Sequence, residues 1–447
     1  MEKSRSKCQK LEVDRMSDLP ESLLIHILSF LPTQKAITTS ILSSRWKDLW
    51  TLVPKLDINT EELHPIVKHA HTVSRIFHLH KTPYLRTFRL TYSCRNRSDV
   101  DAWISNIAAR KVEELDLEIY DDKYWDFERL RLYHSHEIFS CKTLVVLNLR
   151  SRIVIDPPSS FQFPSLKILG LFYVDYKSDS LSGLLSGCPV LEDLSFESEC
   201  LGGVFNHKIC APMLKRLSIA IEVSEYDFFK LLDYDDSDCS YRIEINTPAL
   251  EYFKFNGHLS EVVFLQKLDN LVQADIHICT LKAANRILKL LAAFYNVKFL
   301  SLFSGHPECL CNGSIYPFRF QNLLRLDFMA NALNWHVLQA LLRNAPNLEV
   351  LDVINTRHGS GNHKLCRCRK KSPNDPNFLS SHLTTFYYSE FGGLKDEVEF
   401  IKYILKEARV LKTASIRVRN IKLKKGVLQK LSMIRRRSMT SLLTVKK

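Results

Sequence analysis

Residues 166–196 read LKILGLFYVDYKSDSLSGLLSGCPVLEDLSF and contain one full period of the pattern that decides the fold. The stretch begins and ends with the phrase apolar-x-x-apolar-x-apolar. An alternation of this kind is typical of a short strand whose apolar side chains all point to one side. Between the two phrases, residues 178–189 carry apolar side chains at helical spacing. Each period therefore predicts one strand followed by an outer helical segment.

The phrase returns along most of the chain, with separations that fall mostly between 21 and 27 residues. It starts at residues 85, 112, 144, 166, 191, 214, 250, 271, 297, 323, 348 and 383, and VPKLDI at 53 is a candidate further unit. A period of about 25 with this phrase is the pattern of leucine-rich repeats. Because one unit cannot bury its own apolar face, stacked units must share a core. We predict an α/β solenoid of short parallel strands and irregular outer helices over residues 59–385, without the asparagine ladder of the most regular repeat classes.

A different pattern precedes the repeats. Residues 14–58 read DRMSDLPESLLIHILSFLPTQKAITTSILSSRWKDLWTLVPKLDI. Pro20 suits the first turn of a helix, and Pro32 prevents that helix from continuing. Thr33 and Ser43 are expected to cap two further helices. Three helices in roughly 35 residues cannot bury all their aliphatic groups against one another. The apolar face that remains needs a partner, which is either another protein or the rest of this chain.

This segment resembles the F-box, in the form found in plant F-box proteins that carry leucine-rich repeats. The resemblance rests on Asp14, Arg15, Leu19, Pro20, Ile27, Leu28, Ser29, Phe30, Leu31, Pro32, Ser40, Leu42, Ser43, Arg45, Trp46, Leu49 and Trp50. It implies a three-helix docking module over residues 12–58 that binds a Skp-family adaptor and, through it, a cullin. The adaptor-binding residues that it implies are Leu19, Pro20, Leu24, Ile27, Leu28, Leu31, Ile37, Leu42 and Trp46.

The C-terminal stretch 389–418, SEFGGLKDEVEFIKYILKEARVLKTASIRV, departs from the repeat phrase. Its apolar residues predict a helix from Leu394 to Ala408 and a half-buried strand from Ala414 to Val418. A second helix and a final strand over 441–445 complete a small α/β unit. The stretch resembles the FBD domain, which in plant proteins follows the F-box and the repeats. We assign residues 386–447 to this domain and expect it to cap the open end of the repeat stack.

The net charge of +13 is concentrated at the C-terminus. Residues 402–447 hold 15 Lys or Arg and one acidic residue, whereas the rest of the chain is nearly balanced. The most closely spaced basic residues are Lys422, Lys424, Lys425, Arg435, Arg436 and Arg437. Because they alternate with predicted core positions, we interpret them first as a solvated face of the cap. A nuclear-import signal and a nucleic-acid patch remain the alternatives, although we do not expect nucleic acid to be a partner.

The outward face of the predicted sheet supplies the candidate client-binding residues. In each phrase, the third and fifth positions point off the sheet. Tyrosine and arginine are frequent anchors of protein interfaces. The candidates are Arg89, Arg216, Tyr252, Lys254, Arg325 and Tyr387. The alternative is a solvated sheet face that binds nothing through these side chains.

Twelve cysteines are scattered along a chain that begins with a polar, basic segment rather than a secretory signal peptide. This usage predicts reduced thiols in a cytoplasmic and/or nuclear protein, and it disfavours an extracellular repeat receptor. No run of about 18 apolar residues is present, so we expect no membrane span.

The pattern His-x-x-Cys-x-Cys occurs twice, in the loops that follow two repeat strands. Its residues are His306, Cys309, Cys311, His363, Cys366 and Cys368. Two such loops contain enough ligands for a structural zinc ion, but the C-x-C spacing is tighter than the usual C-x-x-C. We therefore interpret these residues as unliganded thiols and predict no metal site and no cofactor.

The sequence contains no signature of a common enzyme class. The phosphate loop GxxxxGK[ST], the metalloprotease HExxH and the nucleophile elbow GxSxG are all missing, so we predict no catalytic residue. The family resemblance implies a substrate-recognition subunit of a Skp–cullin–F-box ubiquitin ligase, whose repeats select an unknown protein client. Three alternatives stay open: a non-degradative F-box scaffold, a repeat surface completed by a small hormone-like ligand, and a nuclear nucleic-acid binder that uses the basic tail.

Overall fold

The computed structural model describes most of the chain in segments. They are residues 16, 18–62, 69–93, 97–120, 130–131, 136–150, 153–158, 160–176, 180–200, 205–223, 241–278, 284–304, 319–330, 335–355, 381–420, 426, 429, 431, 434, 437–438 and 442–446. The two His-Cys-Cys patterns and all of the named basic cluster except Arg437 lie outside these residues. The chain forms two compact units, Met1–Ile153 and Val154–Lys447. In the segments just named, no helix is long and apolar enough to span a membrane.

Two prolines start the two N-terminal helices, α1 (Glu21–Ser29) and α2 (Thr33–Thr38). Pro20 and Pro32 hold φ near −57° and −55° at the N-caps, and their carbonyl groups accept the first helical N–H bonds. Thr33 is therefore not the cap. Its hydroxyl instead accepts the Asp57 backbone N–H at 2.7 Å. The third predicted helix forms as turns followed by the 3-10 helix Leu49–Leu52.

The rest of the first unit is a parallel sheet with short helices. Its elements are β1 (Lys55–Asn59), α3 (His69–Leu79), β2 (Thr87–Ser93), α4 (Arg97–Ala109), β3 (Glu114–Tyr120), β4 (Leu130–Arg131), α5 (His136–Ser140) and β5 (Val146–Arg150). The strands β1, β2, β3 and β5 pair in that order, all in parallel. The phrase VPKLDI thus belongs to the repeat array, since its strand β1 pairs directly with β2.

The second unit continues the same alternation of strands and connecting segments. Its elements are β6 (Ile153–Ile155), β7 (Ile168–Phe172), β8 (Asp175–Tyr176), α6 (Ser180–Ser186), β9 (Asp193–Cys200), β10 (Phe205–Cys210), β11 (Arg216–Val223), β12 (Tyr241–Asn246), β13 (Tyr252–Gly257), β14 (Glu261–Phe264), β15 (Gln273–Ile278), α7 (Ala284–Ala292), β16 (Phe299–Ser304), β17 (Arg325–Ala330), α8 (Trp335–Arg343), β18 (Val350–Asn355), β19 (Thr385–Phe391), α9 (Lys395–Glu407), β20 (Thr413–Val418) and β21 (Leu442–Lys446).

One long parallel sheet organises this unit. Its strand order is β7-β9-β11-β13-β15-β16-β17-β18-β19-β20-β21, and a smaller parallel sheet contains β10, β12 and β14. The fourth phrase position is inward-facing in every repeat strand of the sheet, as the alternation predicted. Leu169, Leu194 and Leu217 are register partners and are all fully buried. Leu326 and Leu351 repeat the arrangement on β17 and β18.

A row of asparagines connects neighbouring repeats at the strand entrances. It lies before the phrase, whereas the ladder that we expect to be missing belongs to the position three residues after the phrase. Asn270 and Asn347 each donate an amide hydrogen to a carbonyl group of the preceding repeat, at 3.0 Å and 2.7 Å. Asn296 does the same to Asp269, and Asn322 donates to the Asn296 side chain. Each of these residues stands directly before the first leucine or valine of its phrase. These bonds connect the turn ahead of one strand to the turn of the preceding repeat.

The C-terminal region adds a helix and two further strands to the sheet. The predicted helix and strands form as α9, β20 and β21, with β20 parallel to β19 and β21 parallel to β20. Glu397, in the first turn of α9, is 1% exposed. Its carboxylate accepts hydrogen bonds from Asn355 (2.7 Å), Tyr388 (3.1 Å) and the backbone N–H groups of Gly392 (3.1 Å) and Leu394 (2.8 Å). This carboxylate therefore joins β18, β19 and α9.

Candidate functional site

Helix α1 carries two apolar stripes, and only one of them is covered. Leu24 and Leu28 lie one turn apart and are 0% and 1% exposed. Leu23 and Phe30 lie on the other stripe and are 48% and 72% exposed. Ile27 stands between the latter two in sequence and is half-buried. A helix of nine residues packs one side against its own chain, so the second stripe is left facing solvent.

The turn after α2 adds further exposed apolar side chains. Ile41 is 87% exposed and Leu42 is 64% exposed, while Met16, ahead of α1, is 49% exposed. We call Met16, Leu23, Phe30, Ile41 and Leu42 the exposed apolar set. Single exposed aliphatic residues are ordinary on protein surfaces, but several large ones in one short segment mark an interaction site.

The structure divides the nine residues that the sequence predicted for adaptor binding. Leu24, Leu28 and Trp46 are buried in the chain, so they form the base of the module rather than its surface. The others are partly or fully accessible: Leu19, Ile27, Leu31 and Ile37 are half-buried, and Pro20 and Leu42 are exposed.

Sequence reasoning missed Leu23, Phe30 and Ile41 as surface candidates. The spacing of residues 23, 27 and 30 was the available signal, because it defines a second helical stripe offset by one residue from Leu24 and Leu28. The spacing could not reveal which stripe the chain covers.

A buried histidine fixes the N-terminal module to the first repeats. His80 is 4% exposed, and its Nε2 lies 2.8 Å from the Val53 carbonyl oxygen. Its Nδ1 lies 2.9 Å from the guanidinium of Arg110. Burial lowers the pKa of His80, and the charge of Arg110 lowers it further against the opposing effect of the Val53 bond. A neutral imidazole that donates from Nε2 and accepts at Nδ1 satisfies both contacts.

The six candidate client-binding residues are distributed over both units. Arg89 belongs to the first unit and the other five to the second. Arg216 is paired with Asp193 at 2.7 Å, and the Tyr252 hydroxyl donates to Asp275 at 2.7 Å. Arg325 lies 2.8 Å from Asp327 and 3.6 Å from Asp352. Lys254 and Tyr387 are exposed at outward positions of β13 and β19.

The outward face of the second unit holds half-buried carboxylates near the middle of the sheet. Burial raises the pKa of Asp327, and the charge of Asp275 adds to that effect while Arg325 opposes it. Burial also raises the pKa of Asp352, with Asp327 as the next cause. Asp275, Asp327 and Asp352 occupy equivalent positions on β15, β17 and β18. Basic residues accompany these carboxylates, since Lys254 is the register neighbour of Asp275 and the charges of Arg325 and Arg417 lower the pKa of Asp352.

Comparison with known families matches three parts of the chain. The F-box domain model covers residues 16–57, a model described as "FBD-associated F-box protein At5g56370, LRR repeats" covers 100–235, and the FBD model covers 373–416. The F-box match lies within the predicted range, and the FBD match begins before the predicted boundary at 386. That boundary also divides β19.

Several proteins of Arabidopsis thaliana resemble the chain over nearly its whole length. The putative FBD-associated F-box protein At1g55030 is 31% identical over 91% of this chain and 92% of its own length. The F-box/FBD/LRR-repeat protein At3g52680 is 32% identical over 90% of this chain and 85% of its own length. The FBD-associated F-box protein At5g60610 is 31% identical over 90% of this chain and all of its own length.

Proposed function

This chain belongs to the plant family of F-box/FBD/LRR-repeat proteins, and we propose that it is a substrate-recognition subunit of a Skp–cullin–F-box ubiquitin ligase. Its F-box docks a Skp-family adaptor, which joins it to a cullin. Its leucine-rich repeats select a protein client for ubiquitination. The chain itself supplies proximity, because holding the client near the transfer machinery raises the effective concentration of its lysines.

The exposed apolar set is the observation that supports this proposal most directly. Its members stand on both sides of α2, in a segment that matches the F-box. Burying one large aliphatic or aromatic side chain contributes about 1.5–3 kcal/mol. A partner that covers Leu23, Phe30, Ile41 and Leu42 therefore gains free energy that opposes the entropic cost of association.

The connection between module and repeats supports a role in positioning. Strand β1 follows the F-box helices directly and pairs with β2. Thr33 binds the backbone of β1, and the Gln34 side chain donates to Asn59 at the end of the same strand at 2.8 Å. His80 adds the contact to Val53. An adaptor bound to α1 thus fixes the orientation of the first repeats as well.

The test is co-purification of the full chain with a Skp-family adaptor. We expect Leu23→Glu combined with Phe30→Glu to weaken adaptor binding by about 30-fold or more, because two central interface residues each contribute above about 1 kcal/mol. The matched control is Val190→Glu combined with Met213→Glu, which changes two exposed apolar residues of the repeats. The control should bind the adaptor normally. Undiminished binding by the first variant would sink the docking assignment.

A further inference from the structure

We propose that the outer edge of β21 binds an extended acidic segment of a partner protein, which adds one strand to the sheet. The edge site consists of Leu443 and Val445, with Lys412, Arg417 and Lys446 at its two ends. Only the identification of this partner as the client rests on the proposed function. Helix α9 already covers the core of β19 at this end of the repeats, so the proposal concerns the backbone edge of the last strand.

The pairing of β21 leaves one of its sides without a strand partner. Within the described residues, β21 ends the sheet and pairs with β20 alone. The Leu442 N–H donates to the Lys412 carbonyl group at the start of β20, at 2.8 Å. Because backbone groups alternate between the two sides of a strand, Leu443 and Val445 point their N–H and C=O groups away from β20. An added strand can pair with these groups, as peptides do at other exposed sheet edges.

The inward side chains of β21 are also incompletely covered. Leu443 and Val445 are the register partners of Ala414 and Ile416 on β20. Ala414 and Ile416 are 0% exposed, whereas Leu443 and Val445 are only half-buried. A strand that carries apolar residues at alternate positions would cover them in the way that β21 covers β20. The occupant therefore needs apolar side chains on one face.

The first unit protects its own edge strand by a different means. The Asp57 N–H of β1 donates to the Thr33 hydroxyl at 2.7 Å, and the Asn59 carbonyl group accepts from the Gln34 amide at 2.8 Å. Helix α2 thus occupies backbone groups of β1 that another strand could pair with. Natural edge strands are blocked by helices, by loops or by charged side chains. Strand β21 carries the third of these devices, since Lys446 is exposed at its end.

The charge around β21 selects an acidic occupant. Lys446 is the register partner of Arg417, and both side chains are exposed. Lys412, which is also exposed, stands just before β20 at the opposite end of the edge site. Opposite charges on neighbouring strands stabilise a sheet, whereas like charges destabilise it. A segment with aspartate or glutamate near its ends is therefore favoured over a neutral segment.

Two other occupants fit the edge site less well. A second copy of this chain would bring together two C-terminal segments, each with 15 basic residues and one acidic residue in 402–447. An edge lysine opposes self-pairing through this repulsion. Nucleic acid matches the charge, but it lacks the regular row of amide donors and carbonyl acceptors that pairs with Leu443 and Val445. A protein segment of alternating acidic and apolar residues supplies both the charge and the backbone groups.

The experiment uses the full chain and, as the probe, a displayed library of random peptides. Selected peptides should be enriched several-fold in aspartate and glutamate over the starting library, and they should alternate apolar with polar residues. One selected peptide is then synthesised, and its Kd is measured by fluorescence anisotropy. N-methylation of its backbone amides, one at a time, tests strand addition. Alternate positions should lose affinity by about tenfold or more, and the positions between them should tolerate the methyl group.

Val445→Pro tests the same backbone pairing from the side of the protein. It removes one N–H on the outer side and leaves the pairing with β20, which uses the alternate residues. Proline is tolerated at such positions of edge strands. The variant should weaken the peptide by about tenfold or more, because the added strand loses a bond and meets the proline ring. Val445→Thr is the matched control, since it keeps the branched shape and the N–H; its Kd should stay within about threefold of the wild-type value.

The charge preference has a separate test. Lys412→Gln combined with Lys446→Gln should weaken the acidic peptide by about fivefold, as expected for two exposed ion pairs. The same variant should bind a peptide with amides in place of its carboxylates as the wild type does. Lys208→Gln combined with Lys267→Gln is the matched control, because it removes the same charge from exposed positions of the repeats. The control should leave both Kd values unchanged.

Three results overturn the edge site: selected peptides without acidic enrichment, N-methyl groups that weaken binding equally at every position, or equal peptide affinity for Val445→Pro and Val445→Thr. If Val445→Pro does not fold, the N-methyl series on the wild type decides. A wild-type dimer that Val445→Pro converts to a monomer assigns the edge to a second copy and overturns the peptide partner. So does a single-stranded oligonucleotide that displaces every selected peptide and binds more tightly.

Adaptor co-purification on the same samples separates this proposal from the proposed function. Peptide selection without adaptor binding contradicts the ligase role and leaves the edge site intact. Adaptor binding without peptide selection contradicts only the edge site.

Discussion

Helices α1 and α9 flank the repeats in sequence and use their apolar side chains in different ways. On α9, Phe400, Ile401, Ile404 and Leu405 are each no more than 2% exposed. On α1, Phe30 is 72% exposed although Leu28, two residues earlier, is buried. The difference indicates that α9 packs its apolar face within the chain, whereas α1 leaves part of its apolar surface exposed.

The same contrast holds for polar groups. Glu397 is buried and receives four hydrogen-bond donors from three elements. In the N-terminal module, Arg45 donates to the Leu19 carbonyl group, Thr33 and Gln34 bond to the backbone of β1, and Ser29 and Thr38 bond within their own helices. A fully satisfied buried carboxylate fixes one arrangement of its neighbours. This contrast is what we expect if one end of the stack is closed by its own chain and the other end docks a partner.

Deletion of residues 390–447 is expected to have the largest effect. It removes α9, β20 and β21 and uncovers Phe386 and Tyr388 on β19, which are both 0% exposed in the intact chain. Uncapped repeat arrays aggregate because their end core is exposed, so the truncated chain should be insoluble or elute as large species. A chain that lacks residues 1–10 is the control and should elute at the same volume as the intact chain. A monomeric truncated chain with unchanged heat resistance would contradict the capping role.

Glu397→Ala should lower the free energy of unfolding by about 3–5 kcal/mol, because Asn355, Tyr388 and two backbone N–H groups lose their common acceptor inside the protein. Denaturant titration followed by circular dichroism measures the change. Glu399→Ala is the control two residues away, on a side chain that is 60% exposed and paired with Lys402; its effect should stay below about 1 kcal/mol. Equal losses of unfolding free energy in the two variants would show that the buried carboxylate of Glu397 does not stabilise the C-terminal region.

The two stripes of α1 give the next prediction. Leu28→Ala should lower the free energy of unfolding by about 2–4 kcal/mol, as expected for a core leucine. Phe30→Ala should change it by less than about 0.5 kcal/mol, because its side chain is mostly exposed. Adaptor co-purification should rank the two variants in the opposite order. Per folded molecule, Phe30→Ala should bind less adaptor than Leu28→Ala does. A large loss of stability in Phe30→Ala would mean that this ring packs on the chain rather than on a partner.

The basic C-terminal residues should have the smallest effect. Arg437 forms an accessible ion pair with Glu407 at 3.3 Å, and such pairs contribute less than about 1 kcal/mol. Changing Lys424, Lys425, Arg435, Arg436 and Arg437 together to glutamine should therefore leave solubility, unfolding midpoint and adaptor binding nearly unchanged. Imaging of a fluorescent fusion provides the counter-test. Loss of nuclear accumulation in this variant would identify the cluster as a targeting signal.

The alternating phrase was enough to predict the strands and their inward positions. Leu169, Leu217, Leu326 and Leu351 lie where the alternation predicts, because a strand has only two faces and the repeats share one core. The helix α9 and the strand β20 were predictable for the same reason, since their periodicity matches their burial. The asparagine bonds between neighbouring repeats were not predictable, although Asn before the phrase was visible, because the acceptors belong to the preceding repeat.

The sequence by itself determined the repeat phase, the position of the docking module and the resemblance that identifies the family. All three depend on the spacing of residues that are close in sequence, and this spacing is the same whatever tertiary structure the chain adopts. Only the tertiary structure decided which stripe of α1 remains exposed, which carboxylates Arg325 reaches and which donors surround Glu397. Those features depend on neighbours that are supplied by distant segments. Burial and charge compensation are therefore properties of the folded assembly of strands, and the sequence pattern alone does not specify them.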